Sequence, residues 1–105
     1  MSSATVTYSE LAISDLKIIA DYLIEEAGID TALKVTDEIY RIINKTIADN
    51  PKTGSSITII PNTTIRYFTT RKYPYNIYYE FDSSKVLIVR VLHGRRDIRK
   101  LLDTL

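Results

Sequence analysis

The sequence contains no cysteine and a single histidine, His93. Without thiols there is no disulfide framework, no thiolate nucleophile and no cysteine metal site. One imidazole with no carboxylate cluster beside it is a poor metal ligand set, so neither metal nor cofactor is expected. The longest unbroken apolar run, Val86 to Val89, has four residues, where a membrane-spanning helix needs about twenty. The opening Met1-Ser2-Ser3-Ala4 lacks the basic and apolar regions of a secretory signal, and a cytoplasmic location is expected. A Gly-rich phosphate loop, a Ser/His/Asp spacing and a paired-carboxylate motif are also missing. What is present is 105 residues, 45% hydrophobic and 26% charged, the profile of an ordered globular chain. Such a chain buries roughly two-thirds of its unfolded surface, enough for one core. Residues 1–105 are read as one domain.

The net charge of +1 hides a division. Residues 1–50 carry four basic side chains (Lys17, Lys34, Arg41, Lys45) against nine acidic ones, a balance of −5. Residues 51–105 carry ten basic against four acidic, a balance of +6. Either the two halves attract each other within the fold, or the second half meets an anionic partner.

Thr5-Val6-Thr7-Tyr8 is β-branched and aromatic, the composition of a strand. Ser9 is placed to cap a helix, with Glu10 at the positive end of its dipole. Ala12, Leu16, Ile19, Ala20, Leu23 and Ala27 recur at helical spacing, with Asp15, Asp21 and Glu25 largely off that face. Gly28 is a natural terminator. Asp30 is expected to cap a second helix with a stripe of Leu33, Val35, Ile39, Ile42, Ile43 and Ile47, ended by Asn50-Pro51. So short a connection implies an antiparallel helical hairpin.

After Pro51 the pattern changes. Thr53-Gly54-Ser55-Ser56 reads as a loop, and strands are expected near 57–60 or 64–70, at 75–82 and at 85–92. Tyr75, Ile77, Tyr79 and Phe81 alternate with polar or tyrosine neighbours, as in a half-buried strand. Asp82-Ser83-Ser84-Lys85 is turn chemistry and makes the last two strands a hairpin. Ile98, Leu101, Leu102 and Leu105 fit a short C-terminal helix or a frayed end. The predicted architecture is α+β, order β-α-α-β-β-β, a helical hairpin packed on a small antiparallel sheet.

Two segments have the residue types for chemistry. His93-Gly94-Arg95-Arg96-Asp97 places a proton-transfer side chain beside two arginines able to clamp a phosphate or carboxylate. The same residues also suit a strand exit in which Asp97 pairs with an arginine. Arg66 to Tyr75 interleaves basic residues with aromatics, a pattern that serves single-stranded RNA but more often cross-strand tyrosine packing.

The run Tyr73-Pro74-Tyr75-Asn76-Ile77-Tyr78-Tyr79-Glu80, followed after a turn by Val86 to Leu92 and His93-Gly94-Arg95-Arg96-Asp97, resembles the ParE/RelE superfamily of toxins from bacterial type II toxin–antitoxin modules. The ParE branch is the most similar. Ala12, Asp15, Leu16, Ile19, Tyr22, Ala32, Asn50-Pro51 and Gly54 extend the likeness through the first half. The resemblance implies a growth-inhibiting toxin, of the kind that stabilises plasmids, neutralised by a cognate antitoxin that is acidic and partly disordered until bound. A homodimer is possible and no membrane is involved.

ParE-like members inhibit DNA gyrase by stabilising its cleaved DNA complex and so block replication. RelE-like members are ribosome-dependent mRNA endonucleases that use basic sheet residues and a C-terminal tyrosine. In this chain the RelE arginine falls on Asn76, the tyrosine on Leu102 and the two lysines near Tyr67 and Thr69, while Arg96 alone matches. The resemblance therefore favours gyrase binding without catalysis. The expected target contacts are Arg66, Arg71, Arg90, His93, Arg95, Arg96 and Arg99. Arg90 alternates with Val91 on a strand and is also readable as structural. The alternative is an endoribonuclease in which His93 acts with Arg66, Arg71 and Arg96.

Overall fold

Ser9 converts a strand into a helix within one residue. In the computed structural model, which describes residues 3–58, 60–94 and 97–104, Thr5–Tyr8 form strand β1 and Glu10–Ala27 form helix α1. Ser9 has extended backbone, and its hydroxyl accepts the Ala12 N–H at 3.0 Å, the expected cap. Gly28 then serves two helices. Its φ of +90° suits a residue without Cβ, its N–H donates to Ile24 O at 3.1 Å, and its carbonyl accepts the Ala32 N–H at 3.1 Å. Helix α2 (Ile29–Arg41) therefore starts at Gly28 rather than at Asp30, which caps nothing and sits in the first turn, where a carboxylate still favours the dipole. With one residue between them, α1 and α2 form the expected hairpin.

Helix α2 runs on into a π-helical turn, Ile42–Ile47. The wider i to i+5 turn buries the consecutive Ile42 and Ile43 together with Ile47. Two expectations about the helical faces change. Leu33 is exposed and Ala32 takes the buried position, while Asp15 is buried rather than off the packed face.

Beyond Pro51 the strands are β2 (Ser55–Ser56), β3 (Arg66–Thr69), β4 (Tyr75–Asp82) and β5 (Lys85–His93), followed by helix α3 (Ile98–Thr104). The sheet order is β1-β5-β4-β3-β2. The β3–β4–β5 part is antiparallel as expected, whereas β1 runs parallel to β5, from Thr5 opposite Lys85 to Tyr8 opposite Ile88, so the sheet is mixed. Ser55-Ser56, read as loop, supplies the edge strand opposite Tyr67 and Arg66. The described residues of 57–60 are not in a strand.

Both faces of the central strands are covered, which is why Tyr78 is as buried as Tyr79 and the half-buried reading of β4 fails there. On one face Ala12, Leu16, Ile19, Val35, Ile39 and Ile43 pack on Ile77, Tyr79, Val86, Ile88 and Val91. On the other, Ile57, Ile65 and Leu101 cover Tyr78 and Leu92.

Gly54 is read in the sequence as a turn residue, but its φ of −74° is open to any side chain. Its reason is space. The buried Tyr79 hydroxyl accepts the Gly54 N–H at 2.8 Å and donates to Pro51 O at 2.7 Å. A Cβ on Gly54 would lie 2.3 Å from that hydroxyl oxygen and 2.8 Å from Tyr67 O. Gly54→Ala is expected to destabilise the fold by about 1–3 kcal/mol, the usual cost of overpacking, measured by urea unfolding. The cost should shrink in a Tyr79→Phe background, and an equal cost in both backgrounds would show that the hydroxyl is not the obstacle.

Candidate functional site

Strand β1 stops at Tyr8 while β5 continues to His93, so the β5 edge beyond Ile88 has no strand beside it. The start of α1 fills the place. Ser9 N–H donates to Ile88 O at 3.0 Å and Ser9 Oγ to Val89 O at 2.7 Å. Asp15 Oδ2 accepts the Val91 N–H at 3.1 Å. Buried backbone groups need such partners. Within this stretch Tyr78 faces Arg90 but Tyr79 faces Ile88, leaving Val89 as an extra residue. A bulge of this kind re-aims the side chains around it.

Arg90 is thereby directed at α1. Its Nε donates to Asp15 Oδ2 and its Nη2 to Asp15 Oδ1, each at 2.7 Å. Its Nη1 donates to Lys100 O at 3.3 Å. The fork ties α1, β5 and α3 together, and both side chains are buried, Asp15 at 6% and Arg90 at 8% exposure. The hydrogen bond from Asp15 holds the guanidinium above even its usual high pKa, against a smaller opposing effect of burial. Sequence reasoning placed Arg90 correctly on a strand but missed Asp15. The spacing Ala12, Asp15, Leu16, Ile19 was the available signal, since it puts the carboxylate within the packed face.

The other expected contacts are dispersed. Half-buried Arg66 donates from Nη1 to Gly54 O at 2.8 Å and stands 6.0 Å from the Phe81 ring centre. Arg71 is exposed in the β3–β4 turn and Arg99 is exposed on α3. His93 ends β5 half-buried, its ring edge-on to Tyr75 at 6.0 Å, its N–H donating to Asp97 Oδ2 at 3.3 Å. The His93 Nδ1 is buried and has no hydrogen-bond partner among the described residues. Asp97 lies 3.8 Å from Lys100, and its charge also favours the cation of Arg90. Arg95 and Arg96 lie outside the described residues. Arg66, Arg71, Arg90 and Arg99 thus occupy four different surroundings and build no common pocket.

What does converge is a recess of about 190 Å³ on the α3 face of the sheet, lined in part by Ser56, Tyr67, Asn76, Tyr78 and Gly94, with no charged side chain among the described residues that line it. Thr69 Oγ1 donates to Asn76 Oδ1 at 2.7 Å, and Asn76 Nδ2 donates to Tyr78 Oη at 3.1 Å. The rings of Tyr67 and Tyr78 lie 6.1 Å apart. Gly94 N–H donates to Pro74 O, and a Cβ there would crowd that oxygen at 3.3 Å. Burial raises the Tyr78 pKa above 10.0, the Asn76 bond opposes this, and Tyr67 adds to it. The phenol is therefore a neutral hydrogen-bonding group at physiological pH. Leu102, on α3, is 48% exposed. Among the described residues no group of three or more His, Cys, Asp or Glu side chains is placed to hold a metal ion.

A helical hairpin on a five-stranded mixed sheet, closed by a short C-terminal helix, is a fold found in toxin–antitoxin structures. A chain of the chromosomal ParDE system from P. aeruginosa superposes with a TM-score of 0.72 at 20% identity, over 87% of this chain and 96% of that one. A chain of the toxin–antitoxin complex RelBE2 from Mycobacterium tuberculosis superposes at 0.65 and 18% identity, over 89% and 93%. No curated protein matches the chain by sequence. The sequence model of the ParE toxin of type II toxin–antitoxin systems, parDE, matches residues 6–98. The chain belongs to the ParE toxin family.

The buried phenols set an alkaline limit on stability. Burial raises the pKa of Tyr8, Tyr78 and Tyr79 above 10.0. The stabilisation is complete below pH 10 and is lost as the pH rises through the folded values, because the unfolded chain ionises first. Urea midpoints are expected to fall above pH 10, and Tyr78→Phe should flatten that fall. Equal alkaline slopes for the two proteins would contradict the assignment.

Proposed function

We propose that this ParE-family toxin acts by binding DNA gyrase, stabilising its cleaved DNA complex and blocking replication, with no bond-making chemistry of its own. Cleavage of RNA requires a group to take the 2′-hydroxyl proton, cations for the charged phosphate and an acid for the leaving oxygen. The observation that carries the reading is that Thr69 and Asn76, neutral side chains at or near sheet positions where the RelE pattern has cations, are bonded to each other and to Tyr78. The amide of Asn76 is held by both neighbours, and exposed Leu102 stands in place of the tyrosine. Neither side chain supplies the missing charge or acid.

At rest the toxin is held by a cognate antitoxin in the bacterial cytoplasm. The outer groove between α1 and α2, about 410 Å³ and lined in part by Tyr8, Ile13, Leu16, Ala20 and Tyr40, suits the apolar face of an amphipathic segment that folds on binding. The two ParDE and RelBE2 assemblies support such a partner.

Purified toxin added to a gyrase supercoiling reaction is expected to accumulate linear DNA, and the same toxin in a translating extract should leave mRNA intact. Cut mRNA with undisturbed supercoiling would overturn the proposal and return His93 to the role of acid or base.

A further inference from the structure

The acidic half of the sequence contributes to a basic surface. Lys34 and Arg41 lie on α2, along a groove whose other wall is the β3–β4 turn with Arg71 and Lys72. Two adjoining hollows of about 360 and 290 Å³ form it, and Glu38 and Arg41 line both. All four cations are exposed. Among the described residues none of them joins an ion pair, although Asp37 and Glu38 line the same groove. With both carboxylates ionised, those four cations leave the groove at +2. Glu38 Oε2 is buried and has no hydrogen-bond partner among the described residues.

The turn is an ordered platform. Thr70 is buried, its N–H donates to Tyr75 O at 3.0 Å, and its hydroxyl donates to Tyr73 O. Arg71 and Lys72 are thus held at a fixed position opposite α2. Two walls of exposed cations suit a polyanion whose charges are closely spaced, and duplex DNA carries one per about 1.7 Å of axis. An acidic amphipathic peptide would instead take its affinity from apolar anchors. Here the apolar lining, Ile42, Phe68 and Tyr73, is buried or half-buried, whereas the exposed apolar side chains Ile13 and Tyr40 line the α1–α2 groove.

We propose that the groove between α2 and the β3–β4 turn binds the phosphate backbone of duplex DNA. The proposal goes beyond gyrase inhibition and is tested without gyrase, so either reading can fail alone.

The probe is a fluorescein-labelled duplex of about 20 base pairs, titrated by fluorescence anisotropy between about 50 and 200 mM salt. Four phosphate contacts give a slope of log affinity against log salt of about −3.6. The folded double variant Arg71→Glu/Lys72→Glu is expected to bind at least about tenfold more weakly and to flatten the slope by about 1.8. Glu38→Gln, which removes a negative charge from the groove, should tighten binding about twofold. Lys52→Glu/Lys85→Glu makes the same change in net charge away from the groove and should bind like the parent. Absence of salt-dependent binding by the parent would overturn the proposal. So would equal losses in the two double variants, or stronger binding of poly-glutamate than of the duplex at equal charge.

Discussion

The fork between Arg90 and Asp15 fixes in one buried contact three elements that also meet by packing, α1, β5 and α3. It connects the two halves of the sequence, 75 residues apart, and brings α1, β5 and the backbone of α3 to one point. A buried guanidinium or carboxylate alone is expensive, because the charge leaves water without compensation. Here two short, parallel, charge-assisted bonds satisfy both groups, and the second lone pair of Asp15 Oδ2 takes a backbone N–H. The pair depends on two structural irregularities: β1 must end at Tyr8 to leave the β5 edge open, and the bulge at Val89 must re-aim Arg90.

The rest of the architecture follows from covering both faces of the sheet. The hairpin α1–α2 supplies one layer, including the π-helical turn that buries neighbouring isoleucines. Helix α3, through Leu101, and the side chains of Ile57 and Ile65 cover part of the other face. Tyr79 reaches through to bind Pro51 and Gly54, so the connection between the helical and strand halves is fixed by a phenol rather than by a turn preference. Tyr67, Asn76 and Tyr78 are left around a recess whose described lining carries no charged side chain.

Periodicity was enough to read the hairpin, strands β4 and β5, and the C-terminal helix, since each has a long pattern or a strong turn. The two-residue β2 strand and the parallel pairing of β1 were not legible, because both depend on neighbours supplied from distant sequence. Asp15 was misplaced because polarity was weighed above its helical position, and Tyr78 because coverage of the second face arises from α3. The charge division raised a choice between internal matching and an external anion. Between described residues one ion pair, Asp15–Arg90, crosses the two halves. The family match to residues 6–98 then gives the charge division a setting in which an acidic partner and a DNA-bound target are the proposed counterparts.

Arg90 is committed to Asp15 and holds the fold, which leaves the exposed cations for partners. A double-mutant cycle on Asp15→Asn and Arg90→Gln, followed by urea unfolding, tests it most directly. Each single substitution is expected to cost about 3–5 kcal/mol, as removal of one member of a buried pair does. The double variant should cost less than the sum of the two singles by a coupling energy of about 2–3 kcal/mol. Single substitutions each within about 0.5 kcal/mol of the parent, or strictly additive effects, would contradict the account.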